Sequence, residues 1–148
     1  MMTYVRNWRE LNTEDRKLLL RYPVYLLLLA SAEHDAIDKR EKKAAAKVIH
    51  VRSFSSDPEL FSFYDAVEKD FERLLSDLEK ELPQDKDEMK HFISHRLAKL
   101  EAVLEKMNPS YASVFRHSMQ SFKNHVSRAH RNILEYFIFP LPINGLTD

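Results

Sequence analysis

A chain of 148 residues with 44% hydrophobic and 31% charged residues suits one globular domain with a core of its own. A single glycine, Gly145, excludes glycine-rich nucleotide loops and argues against a turn-rich β-fold, while the absence of cysteine excludes disulfides, thiolate metal sites and a cysteine nucleophile. Formal net charge is zero, so no global charge imbalance marks a polyanionic partner. The start, MMTYVRNWRELN, has no apolar leader segment. The longest apolar run, Leu18 to Ala30, covers 13 residues and contains Arg21 and Pro23. A spanning helix needs about 20 apolar residues, so the run is expected to be a core helix and not a transmembrane segment. These features lead to the expectation of a cytoplasmic protein.

Taken in order, Tyr4, Val5, Trp8 and Leu11 are apolar at helical spacing and predict a short amphipathic helix over residues 1–11. Asn12 or Thr13 then caps a helix that meets Pro23 as a kink or a break; Pro23 equally suits the first turn of a fresh helix. From Val24 to Ala32 the chain is apolar all round and should be buried on most faces. After an acidic elbow, Asp38 and Glu41 have the form of a capping box opening a helix to about Arg52. SFSSDP reads as a loop, and Asp57 with Pro58 as a helix start. Leu60, Tyr64, Val67, Phe71, Leu74, Leu78 and Leu82 make one stripe, ended by Pro83. Asp85 or Asp87 opens the next helix, with Met89, Phe92, Ile93, Leu100, Leu104 and Met107 inward. Asn108 and Pro109 punctuate the chain again. Phe115, Met119, Phe122, Val126, Ala129, Ile133 and Phe137 stripe the last helix, and the proline-bearing tail after it is non-helical. The expectation is an all-α, single-domain bundle of five to six helices around a central apolar helix, spanning residues 1–139, with residues 140–148 as a tail.

The charge is unevenly distributed. Asp57 to Glu88 holds 12 acidic and 4 basic residues, whereas Lys106 to Asn132 holds 5 basic and no acidic ones. The simplest expectation is that these two helices neutralise each other side by side. The alternative is a basic face for an anion or nucleic acid on Lys106, Arg116, Lys123, Arg128 and Arg131, although five cations over that length is a modest density for nucleic acid.

Three constellations bear on chemistry. Glu88, His91 and His95 lie at i, i+3 and i+7 of one helix, the ligand types of a Zn²⁺ or Fe²⁺ site in a metal-dependent bundle enzyme. At about 100° per residue from Met89 they fall near ~260°, ~200° and ~240°, away from an apolar stripe centred near ~10°. His117, His125 and His130 of the last helix point in different directions and cannot converge on one metal. The elbow gathers Glu33, His34, Asp35, Asp38 and Glu41 within nine residues, an oxygen-rich set of the kind that holds a hard divalent cation. Asp38 and Glu41 are equally explained as helix caps. No catalytic constellation such as G-x-S-x-G is present in the sequence.

LLLLASAEHDAIDKREKKAA resembles the segment of tellurite-resistance TerB-like domains in which an apolar helix leads into A-D-G-x-I-D-x-x-E. Ile37, Asp38 and Glu41 match the I-D-x-x-E portion; His34 and Asp35 depart from it, replacing an Asp and a Gly. The resemblance implies a compact all-helical domain of stress responses, working at membrane-associated or metal-sensing complexes, with Asp38 and Glu41 as the acids carried over. The combined expectation is a non-enzymatic helical interaction module, with a protein partner or a second copy of itself. A divalent metal at Asp38, Glu41, Asp35 and His34 is part of that expectation, with Glu88, His91 and His95 as the alternative metal set.

Overall fold

The computed structural model describes residues 3–31 and 39–138, with side chains of the last helix as far as Val126. Six α-helices follow one another: α1 (Thr13–Leu20), α2 (Tyr22–Ser31), α3 (Lys39–Ser55), α4 (Phe61–Glu81), α5 (Lys86–Glu105) and α6 (Pro109–Ile138). No strand occurs among the described residues beyond one isolated bridge. The fold is an all-α bundle.

Local chemistry sets most helix starts. Asn12 Oδ1 accepts from the Asp15 amide at 2.8 Å, and Asp85 Oδ2 from the Glu88 amide at 3.0 Å. Asn108 Oδ1 accepts from Ser110 N at 2.9 Å, with Pro109 at the first helical position, where its missing N–H is no loss. Asp57 caps a single 3₁₀ turn, Pro58–Leu60, that leads directly into α4. Pro23 resolves as a break: α1 closes with the Arg21 N–H on Leu18 O, and α2 restarts at Tyr22.

Pro23 to Leu28 are buried without interruption, because α2 packs on α6, α5, α4 and α1. All seven residues of the α4 stripe are buried, joined by Phe63 and Leu75. Phe63 and Phe115 meet edge-on with ring centroids 4.8 Å apart, and Trp8, Tyr64, Tyr22 and Tyr111 extend this aromatic centre. α3 packs chiefly on α4 and also on α6. It contributes only Ala45 and Ile49 as fully buried residues.

Three expectations are corrected. Residues 3–11 form one 3₁₀ turn, Trp8–Glu10, rather than a helix. Val5 is instead drawn into the bridge, donating to Lys106 O at 2.9 Å and accepting from Asn108 N at 2.7 Å, while Trp8 Nε1 donates to Ser62 Oγ at 3.0 Å. SFSSDP is largely helical: α3 runs through Ser55, with the hydroxyls of Ser53, Ser55 and Ser56 returned to the carbonyls of His50, Val51 and Arg52. Among the described residues, no ion pair joins the acidic helix to the basic last helix. Across helices, α4 acids meet α3, through Lys42–Glu79 at 3.4 Å and His50–Glu68 at 2.5 Å, and the end of α1, through Arg21–Glu81 at 2.9 Å. Arg116 of α6 pairs with Glu101 of α5 at 2.5 Å. The reason is placement, since α3, rich in Lys and Arg, is the principal neighbour of α4.

Candidate functional site

α3 carries two apolar rows. The inner row, Ala45 and Ile49, enters the core; the outer row, Ala44, Val48 and Val51, lies one residue round the helix at i, i+4 and i+7 and stays accessible. Opposite it, α6 turns Val114, His117, Ser121 and His125 outward from its buried Phe115, Met119 and Phe122. Between the two helices runs an open groove of about 940 Å³, closed at one end by Ser55, Ser56 and Asp57. Asp57 is committed there to capping the turn into α4 through the Glu59 amide, at 3.0 Å.

Arg52 lies on the groove. Its guanidinium carbon stands 5.9 Å from the Tyr64 ring centre and 5.7 Å from that of Phe122. Nη2 donates to Ser121 Oγ at 3.0 Å and Nη1 to Ser118 O at 3.4 Å. Beneath it, the Tyr64 hydroxyl shares a hydrogen bond with the buried Ser118 Oγ. Burial pushes the Tyr64 phenol above its ordinary value, against the opposing pull of Ser118 and Arg52, so it stays neutral. The guanidinium is thus pinned by two ring faces, a hydroxyl and a carbonyl, all of them uncharged.

The residues singled out from sequence are scattered relative to this groove. Glu88, His91 and His95 are exposed on α5. His34, Asp35 and Asp38 lie outside the described residues. No group of three or more His, Asp or Glu placed to hold a metal ion occurs among the described residues. Of the basic set between Lys106 and Asn132, Lys106, at the end of α5, pairs with Asp15 at 2.8 Å, Arg116 pairs with Glu101, and Lys123 is exposed. The side chains of Arg128, His130 and Arg131 lie outside those described. His117 and His125, both exposed, line the groove from its α6 side. Arg52, Ser118 and Ser121 carried no sequence signal, because what unites them is the approach of α6 to α3.

Glu41 has a structural partner: its Oε2 accepts from Ser31 Oγ at 3.0 Å, and the same hydroxyl lies 3.0 Å from Leu27 O. This stitches the end of α2 to the first turn of α3 across the elbow. Ser31→Ala should lower stability in urea by about 1 kcal/mol, since a buried hydrogen bond contributes that much. The loss should be the same with Ca²⁺, Zn²⁺ or EDTA present. A melting temperature that rises with metal in the parent and not in Glu41→Ala would instead make Glu41 a ligand.

No protein-family model matches the chain, and comparison with curated proteins and with solved structures returns no match.

Proposed function

We propose that the protein is a non-enzymatic helical interaction module that docks another polypeptide in the groove between α3 and α6. One observation carries this reading: a continuous apolar row on α3, at the edge of the core, stays partly accessible beside a guanidinium held in place by uncharged groups. Apolar walls with a few fixed polar groups are the usual make-up of a recognition surface. Val51 on the groove is 39% exposed, and Phe54, on the same helix outside the groove lining, is 60% exposed and adds to the accessible apolar surface. The likeness of Ile37, Asp38 and Glu41 to TerB-like domains is consistent with a module of this kind in the cytoplasm. A stress-response role belongs to the same proposal.

A displayed library of helical peptides about four turns long, selected on the immobilised protein, tests this. Peptides enriched on the parent should bind the double variant Val48→Glu/Val114→Glu at least about tenfold more weakly, because burying an unpaired carboxylate against apolar residues is unfavourable. Both valines are partly exposed, so circular dichroism should show the variant folded. Equal binding to parent and variant, or no enrichment on the parent, would overturn the groove as the working surface.

A further inference from the structure

The chemistry of the groove specifies its occupant further. Arg52 is half-buried, and its hydrogen-bond and ring partners among the described residues are all uncharged. Two of its five N–H donors are engaged there. Such a charge, drawn partly out of water without a carboxylate, is best satisfied by an incoming anion, and a guanidinium binds a planar carboxylate with two parallel hydrogen bonds. Lys47, also on the groove, is exposed and forms no ion pair among the described residues. Among the described residues lining the groove the only acid is Asp57, at the C-terminal end of its α3 wall and engaged as a cap. The groove is therefore positive along its middle and apolar along its α3 wall.

Its dimensions suit a helix. From Ala44 to Ser56 on one wall and from Ser113 to His125 on the other, each side runs about 18 Å at 1.5 Å per residue, just over three helical turns. A lipid chain favours an enclosed apolar slot. This groove is open, and serine hydroxyls from both helices lie along it.

We propose, resting on the docking role assigned above, that the occupant is an amphipathic helix of a partner protein, about three turns long, with a Glu or Asp set within its apolar stripe to meet Arg52. Recognition is then of the helix-in-groove kind: apolar anchors at i, i+3, i+4 and i+7 against Ala44, Val48 and Val51, with the acid setting register. Arg52 discriminates, since a partner with an apolar or basic residue at that position leaves the guanidinium unsatisfied.

Peptides enriched on the parent should carry an acid at one fixed position of the apolar stripe. Replacing that acid by Gln should weaken binding to the parent by about 10- to 100-fold, the range for one partner of a desolvated ion pair. On Arg52→Met, which keeps the stem and removes the charge, the Glu and Gln peptides should bind alike. Arg52→Lys should retain part of the preference. Melting curves of both variants establish that they are folded. Groove-dependent peptides with no acid preference, or a Glu-to-Gln loss of the same size on Arg52→Met, would overturn this proposal and leave the docking groove standing. Binding indifferent to Val48→Glu/Val114→Glu would overturn both. So would a titration in which sodium dodecanoate saturates the groove while the library yields no peptide.

Discussion

Phe115→Ala should destabilise the protein by about 3–5 kcal/mol, the range for removing a fully buried aromatic ring. Phe115 is 0% exposed, and its ring lies 4.8 Å from Phe63, 5.9 Å from Tyr22 and 6.4 Å from Tyr111. Those partners come from α4, α2 and α6, so truncation opens a cavity where three helices meet. Small domains have about 5–15 kcal/mol of stability in total, and the loss is a large fraction of it. For a chain of this size each kcal/mol shifts the melting temperature by about 2–4 °C, so the midpoint should fall by roughly 6–20 °C. Phe115→Leu refills part of the volume and should recover part of the loss. A change below about 1 kcal/mol in urea unfolding would mean that α6 does not seat on α2 and α4 through this ring.

Ile49→Ala has the second large effect and a different character. Truncating a fully buried isoleucine costs about 2–5 kcal/mol, and Ile49 is 0% exposed. Ala45 is the other fully buried residue of its helix, while Ala46 and Val48 are only partly buried against the core. The α3–α4 ion pairs Lys42–Glu79 and His50–Glu68 are substantially exposed, and such pairs contribute about 0–1 kcal/mol each. The loss should therefore appear first as local opening of residues 39–55 while α2 and α4 remain folded. Hydrogen exchange should show fast amides through α3 and slow ones from Val24 to Leu28 and from Phe63 to Leu78. Peptide docking should fail together with α3, because the outer apolar row and Arg52 stand on that helix. Uniform acceleration across all helices would show instead that α3 belongs to the same cooperative unit as the core.

The second result bears on how α3 supports a groove. A helix with two fully buried residues keeps an outer apolar row partly accessible, whereas α4 turns seven residues fully into the core.

Much of this architecture is legible along the chain because its causes are local. The caps at Asn12, Asp57, Asp85 and Asn108 and the breaks at Pro23 and Pro83 act within a turn or two of themselves. The α4 stripe repeats at helical spacing whatever it packs against, which is why all seven of its residues could be named as core. The remainder depended on which elements meet. Tyr4, Val5, Trp8 and Leu11 have the spacing of a helix, yet Val5 pairs with the α5–α6 junction and Trp8 reaches Ser62, contacts remote in sequence. The acids of α4 have suitable bases on both α3 and α6, and only the packing of α3 against α4 selects between them. Arg52, Tyr64, Ser118 and Phe122 come from three helices and have no common pattern in the sequence. Periodicity and capping are properties of neighbours in the chain, so the sequence alone determined most of the helices; the N-terminal segment, the groove and its charge arise where elements meet, and only the tertiary structure decided those.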